Sequence, residues 1–418
     1  MLTLGFSAGL PLLLVLGTLS FRLREAGVDL ATIGFLSWIG LAYGIKWMWA
    51  PLVDRLNIPF LTNLLGRRRA WLLIAQSLIV LGLVGMGVSN PQTQLQQLVL
   101  FALLVAFGSA TQDIALDAFR IESAATELQA ALAACYQTGY RLAMIWSGAG
   151  VLWIASLYSE SLAHTHTQND LGWTSAYIWM AASMLVGVLT VIFSKEPAAQ
   201  IIEKSPHFRA WLHSTLIEPF ADFYTRYKWR ALTILALIAT YRISDIVMGI
   251  MANPFYVDMG YSKTEIATVT KVYGVIMTLL GAFIGGSLSI RFGVMRILIW
   301  GASLSAASNL LFSWLSIHGH DVRALIGVIS ADNLSSGIAS AAFIAYLSSL
   351  TNIKYSATQY AMLSSVMLLL PKFLAGFSGV FVSSFGFSYF FIATALLGVP
   401  VLLLLFIVDR QTHRTSEK

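Results

Sequence analysis

Long apolar stretches, separated by short charged or turn-rich breaks, recur along the whole chain. The run LTLGFSAGLPLLLVLGTLSF at 2–21 gives way to RLREAGVD, and the same alternation continues to the end. Marking the runs between breaks predicts twelve spans, at 2–21, 30–50, 71–88, 95–118, 128–155, 173–194, 231–252, 264–290, 294–316, 323–350, 357–382 and 386–408. Each is close to the ~20 residues that cross a ~30 Å hydrocarbon core, and the longer ones can tilt. A segment alone in lipid must satisfy its own backbone hydrogen bonds, so every span is predicted to be a helix. The first span has no basic lead, carries Pro11 and lacks a small-residue cleavage site, so it reads as a retained helix and not a signal peptide. The fold class is an all-α membrane protein.

The longest polar connection, 195–230, divides the spans six and six. The expected organisation is therefore an N-terminal six-helix half at 1–194, a linker at 195–230 and a C-terminal half at 231–418. Within the linker, SPHFRAWLHSTL offers Ser205 as an N-cap and Pro206 at the first helical position. Phe208, Trp211, Leu212 and Leu216 then share one face. This predicts an amphipathic helix ending near Pro219, either lying on the inner leaflet or simply bridging the halves.

Composition agrees with the pattern: 57% of residues are hydrophobic and 11% charged, against about 25% charged in a soluble domain. The single cysteine, Cys135, excludes an intrachain disulfide. Placing both termini in the cytoplasm puts seventeen of the 26 Lys and Arg residues in inner loops and the tail. Arg22, Arg24, Lys263 and Arg323 fall in outer loops, and five lie within spans. That asymmetry is the positive-inside signature. Basic residues spread over several short loops also exclude a nucleic-acid groove as the meaning of the pI near 9.3.

The two halves echo one another. WAPLVDRLNIPFLTNLLGRRRAW joins the second and third spans, and GGSLSIRFGVMRIL joins the eighth and ninth. Duplicated six-helix halves are the architecture of rocking transporters. The first loop resembles the loop motif of the major facilitator superfamily, with Asp54, Arg55, Gly66, Arg67 and Arg68 in matching roles and about six residues inserted before GRRR. Asp54, Arg55, Arg67 and Arg68 are the expected gating residues, with a plain topogenic loop as the alternative for the arginines.

A narrower resemblance runs through LREAGVDLATIG (23–34), WAPLVDR (49–55), GRRRAWLL (66–73), TQDIALDAFRIE (111–122), YRLAMIWSGAG (140–150), MANPFYVDMGYSKTEIA (251–267) and SATQYAMLSS (356–365). These strings resemble the AmpG family of muropeptide permeases, a branch of that superfamily. The resemblance implies a bacterial inner-membrane importer that moves anhydromuropeptides from periplasm to cytoplasm on the proton gradient. It also implies a basic lead before the first helix, which this sequence does not show, and some relatives carry further C-terminal helices. Other cargo, such as an acyl-CoA or a siderophore, stays open, as does a non-transporting sensor or scramblase.

The charges inside the spans are the candidate chemistry. They are Lys46, Arg141, Arg242, Lys271 and Lys372 with Asp113, Asp117, Asp245 and Asp332. Each costs about 2.5–3.5 kcal/mol at mid-bilayer, so they must pair, face water or snorkel. Arg242 lies twelve residues beyond Arg230, roughly 18 Å along the axis and near the midplane. Asp245 follows one turn later on the same face. The pair is expected to line a water-filled cavity between the halves, or else to join neighbouring helices as a structural bond. Arg141, Arg242, Asp332, Lys372, Tyr241 and Tyr140 are the expected substrate contacts. Asp113, Asp117 and Asp245 are the expected proton carriers: Asp113 and Asp117 are carboxylates at i,i+4 that raise one another's pKa, and Asp245 would be released by Arg242 when substrate takes the arginine. Asp113 and Asp117 have an alternative role as partners of Arg120 and Lys46. Tyr43, Trp47, Trp146 and Tyr273 are further candidate rings for a sugar face, although core packing is the stronger reading for any single one.

No Walker loop, HExxH, GxSxG or cysteine pair is present, so the chain is not expected to be an enzyme or to hold a cofactor or metal. The expected partners are a glycopeptide substrate, protons and lipid.

Overall fold

A computed structural model of the chain describes residues 1–123, 129–160, 168–197, 217–351 and 356–416. Every regular element among these residues is helical. Among the described residues, eleven helices are long and apolar enough to cross a membrane. They are α1 (Leu2–Glu25), α2 (Leu30–Met48), α3 (Arg67–Val88), α4 (Leu95–Glu122), α5 (Cys135–Leu157), α6 (Leu171–Phe193), α7 (Arg230–Asp258), α8 (Lys263–Phe292), α9 (Val294–His318), α10 (Val322–Leu350) and, last in the chain, α12 (Ser378–Gln411). Between the last two lies α11 (Ser356–Ala375), whose apolar part, Met362–Ala375, is shorter. The chain leaves helical geometry at Gly386, with φ of 83°, next to the expected break between the last two spans.

By contact the chain forms two units, Met1–Ile201 with Tyr256–Val272, and Ile202–Phe255 with Tyr273–Lys418. The segment 256–272 belongs to the C-terminal half by sequence and to the first unit by contact. In the first unit α1 packs on α5, α3 on α4, and α6 on α3 and α5. In the second, α10 packs on α8 and α9, and α12 on α9.

Small residues set the closest approaches. A Cβ on Gly5 would lie 2.1 Å from the Tyr136 carbonyl oxygen, and one on Gly281 would lie 2.2 Å from that of Leu334. Only a bare backbone lets α1 meet α5, and α8 meet α10, at that distance. Large apolar side chains such as Phe193, Phe283, Ile290 and Leu403 stay exposed on the outer faces of their helices. In water such a surface would be unstable, whereas against lipid tails it is matched.

Several spans are not uniform α-helix. α1 breaks at Leu16, α5 contains a π-helical turn at Trp146–Gly150, and α8 contains one at Ala267–Tyr273. α7 passes from Arg230–Thr240 to Ile243–Asp258 through Tyr241 and Arg242. Such interruptions free backbone groups and re-aim side chains, and they concentrate at functional sites.

The expected amphipathic helix at 205–216 lies outside the described residues. The described part of the linker holds the helix Glu218–Tyr227, whose Arg226 and Asp222 pair at 3.0 Å. Arg226 also donates to the Leu350 carbonyl and to Gln359, which fixes this helix to the ends of α10 and α11.

Candidate functional site

In the second unit the interruption of α7 places Arg242 and Asp245 one turn apart. Arg242 Nε lies 3.2 Å from Asp245 Oδ2, and both side chains are largely shielded from solvent. The remaining guanidinium nitrogens donate to Ser340, in a short contact, and to Ser336 at 3.4 Å, both on α10. Asp245 Oδ1 accepts a short hydrogen bond from Ser305 of α9. One turn along α9, Ser308 donates to Asp332 Oδ1 of α10 at 3.2 Å. Arg242, Asp245 and Asp332 therefore form one polar cluster carried by three helices.

A cavity of about 10 Å³ adjoins the cluster, lined by Tyr241, Arg242, Ser244, Asp245, Ser305 and Ala339 among others. That is room for about one water and far too small for a glycopeptide. Arg242, Ser244, Asp245 and Ser305 bring polar groups to its lining, beside the apolar Ala302, Ala339 and Val401.

Around this cluster the side chains are tied down. Ser244 donates to the Thr394 carbonyl, and Asn309 donates to both Ser244 and Thr394. Tyr241, an expected substrate contact, is buried. Its hydroxyl donates to the Leu298 carbonyl and its ring stacks on Phe343 with centroids 4.5 Å apart, so this ring is engaged in helix packing. Lys372 is half-buried on α11, and Tyr273 hydrogen-bonds Ser330 at 2.7 Å.

The first unit holds a second group of charges. Lys46 of α2 pairs with Asp113 of α4 at 3.2 Å, and Arg120 pairs with Asp117 at 3.5 Å. The two carboxylates thus each face a cation of their own, which is the pairing weighed as the alternative to proton carriage. Tyr140 and Tyr136 of α5 lie beside them with ring centroids 6.0 Å apart. Arg141 is exposed on the same helix, and its guanidinium lies 3.9 Å from the Met144 sulfur. Among the described residues no carboxylate lies within ion-pair distance of Arg141.

At the α3 N-terminus, Arg68 is buried and forks onto Glu122, with Nη2–Oε1 at 2.6 Å. The backbone amides of Arg68 and Arg69 donate to the two carboxylate oxygens of Glu196, which caps the helix from a distant part of the chain. The acidic partners in this region are Glu122 and Glu196. The side chains of Asp54 and Arg55 lie outside the described residues, and Arg67 is half-buried.

Arg22, expected in an outer loop, lies in the last turn of α1. It is 1% exposed, and it donates to the carbonyls of Met86, Gly87 and Ser89 at the end of α3. A cation at a helix C-terminus is favoured by the free carbonyls there.

Ser336 follows Asp332 in a polar notch of α10, whereas Ser305, Ser308 and Ser340 carry no chemical motif. Their signal is spacing: SLSAAS at 303–308 and SSGIAS at 335–340 place hydroxyls at i,i+3 and i,i+4 in otherwise apolar helices. Glu122 and Glu196 gave no local signal, since their partners lie 54 and 128 residues away.

Family comparison decides the lineage. The family model described as Major Facilitator Superfamily matches residues 233–418, and the one described as Acetyl-coenzyme A transporter 1 matches residues 1–209. The anhydromuropeptide permease of Escherichia coli K12 is 35% identical over 414 residues, 99% of this chain and 79% of that protein. The putative transporter AmpG 4 of Rickettsia conorii is 34% identical over 413 residues, 98% of this chain and 96% of that protein. The chain belongs to the AmpG family of the major facilitator superfamily. Solved structures agree on the fold of this AmpG-family chain. A bacterial homologue of the human lysosomal transporter Spinster superposes with a TM-score of 0.76 at 15% identity, covering 98% of this chain and 95% of that one. A D-xylose–proton symporter gives 0.67 at 14% identity, covering 97% and 95%. AmpG-family membership makes the chain a multi-pass membrane transporter of small molecules.

Proposed function

We propose that this protein imports anhydromuropeptides, GlcNAc-anhydroMurNAc with or without peptide, from periplasm to cytoplasm across the bacterial inner membrane by proton symport. The carrying observation is the 35% identity with the E. coli anhydromuropeptide permease over 99% of the chain. The Lys and Arg asymmetry supports cytoplasmic termini. Arg242 and Arg141 fit the substrate's stem-peptide carboxylates, because a guanidinium recognises a carboxylate through two parallel hydrogen bonds. Lys372 adds a further cation for that role. Gradient-driven uptake without an ATPase motif, without enzymatic chemistry and without a nucleic-acid partner completes the reading.

The match of residues 1–209 to an acetyl-coenzyme A transporter model supports a second reading, an acyl-CoA porter. Right-side-out vesicles containing the protein, supplied with labelled GlcNAc-anhydroMurNAc-tripeptide, separate the two. The primary reading expects accumulation with an acid-outside gradient, collapse with a protonophore, and no competition by acetyl-CoA. Uptake of labelled acetyl-CoA in place of the muropeptide would establish the second reading.

A further inference from the structure

The hydroxyl that faces Asp332 has a choice that the hydroxyl facing Asp245 lacks. Ser308 Oγ lies 3.2 Å from Asp332 Oδ1 and 2.8 Å from the Ser305 backbone carbonyl, and a serine has one proton to give. With Asp332 ionised, Ser308 donates to the carboxylate. With Asp332 protonated, the acid O–H donates to Ser308 Oγ, and Ser308 turns its own proton to the Ser305 carbonyl. Both states are hydrogen-bonded without moving a heavy atom.

Asp245 is held differently. One carboxylate oxygen faces Arg242 Nε at 3.2 Å and the other accepts from Ser305. Both neighbours are donors, which is the contact set of an ionised carboxylate. Protonating Asp245 would take from Arg242, inside the membrane, the carboxylate it pairs with; its hydrogen bonds among the described residues go to Ser336 and Ser340. The charged groups that act on Asp332 are Asp245 and Arg242, both from α7. From α9 it meets Ser308. On the α8 side the polar neighbours of α10 are Tyr273 and Thr278, bonded to Ser330 and Asn333.

We propose that Asp332, with Ser308 as its switching partner, takes up and releases the transported proton, while Asp245 stays ionised as the fixed counter-charge of Arg242. This rests on the proton-coupled reading above, moves the coupling role from Asp245 to Asp332, and takes Asp332 out of the expected substrate contacts. The step is a simple protonation: one O–H bond forms on the Asp332 carboxylate on one side of the cycle and breaks on the other, with water as source and sink. A substrate carboxylate that engages Arg242 changes the charge facing Asp332, which links the two events.

The test uses the full chain in proteoliposomes with labelled muropeptide, reading steady-state accumulation under a pH gradient and downhill entry without one. Asp332→Asn is expected to lose accumulation to the level of passive equilibration while downhill entry persists and becomes insensitive to pH. Ser308→Ala is expected to accumulate substrate with a displaced pH optimum. Asp245→Asn is expected to lose both activities together with protein level. Proton exchange on substrate addition, read with a pH dye on purified protein in weakly buffered detergent, keeps the test independent of reconstitution. Wild type is expected to show it, Asp332→Glu to retain it and Asp332→Asn to lack it. Gradient-driven accumulation by Asp332→Asn, or loss of accumulation with downhill entry kept in Asp245→Asn, would overturn the assignment. Wild-type protein that ignores the gradient would instead overturn the symport reading itself.

Discussion

Arg24 and Asp258 are 234 residues apart in the chain, yet they meet as a fork, with Nε–Oδ1 at 2.5 Å and Nη2–Oδ2 at 2.7 Å. Beside them Lys263 pairs with Glu25 at 3.0 Å and lies 5.4 Å from the centre of the Trp173 ring, whose Nε1 donates to Glu25. Four charges and one indole thus hold the segment 256–272 to the end of α1.

The fork is about a quarter exposed on each side, so its worth is limited by solvent screening to about 1 kcal/mol. Arg24→Glu sets two carboxylates face to face and is expected to raise hydrogen exchange across 259–266. The double change Arg24→Glu with Asp258→Arg should return protection towards wild type. Equal exchange in all three proteins would show that the fork does not hold the segment.

Arg68 and Glu122 are far more buried, at 4% and 11% side-chain exposure. Removing one partner strands the other, at a cost of about 3–5 kcal/mol. Arg68→Gln is therefore expected to lower the unfolding midpoint in detergent sharply, and Arg68→Gln with Glu122→Gln to recover part of the loss. A midpoint unchanged in Arg68→Gln would remove the pair from the stability of this unit.

Gly66 has φ of 94°, and a Cβ there would lie 2.3 Å from the Glu196 side chain that caps α3. Gly260 has a similar φ of 79° with open space around it. Alanine at either position bears the left-handed strain of about 1–3 kcal/mol, but only Gly66→Ala must also displace the cap. Thermal unfolding should rank Gly66→Ala clearly below Gly260→Ala, and equal midpoints would refute the capping role of Glu196.

Arg141→Lys and Arg242→Lys keep the charge and lose the planar fork. A charge-assisted hydrogen bond is worth about 1.5–3 kcal/mol, so a drop of roughly ten- to hundredfold in uptake efficiency is expected at unchanged membrane level. Uptake near wild type in both would take them out of substrate recognition.

Asp29 caps α2, accepting from the Thr32 amide at 2.8 Å and its hydroxyl at 2.6 Å. The Thr32 hydroxyl first, then its amide, holds the Asp29 carboxyl below the usual carboxylate range. The folded value lies below the unfolded one, so the cap's contribution is complete above the ordinary carboxylate range and disappears as pH falls through the folded value. Asp29 is exposed, so the loss lies at the low end of the ~0.5–2 kcal/mol typical of caps. Hydrogen exchange at the start of α2 should quicken on acidification in wild type, whereas Asp29→Ala should be quick throughout. A wild-type rate with no acid dependence beyond that of free peptide would argue against the cap.

The sequence by itself determined the helical class and the places of the spans, because the bilayer imposes length and apolarity on each segment locally. It also set the Arg242–Asp245 pair, whose partners stand one helical turn apart. The tertiary structure decided everything that depends on a partner far along the chain. It chose Glu122 and Glu196 for the arginines of α3, put Arg22 on the carbonyls ending α3, and tied segment 256–272 to α1. It also turned two unremarked serines of α9 towards two aspartates. Charges in low dielectric must find a counter-charge or a donor, but which one they meet depends on helix packing, and packing is set by surfaces that local sequence does not order.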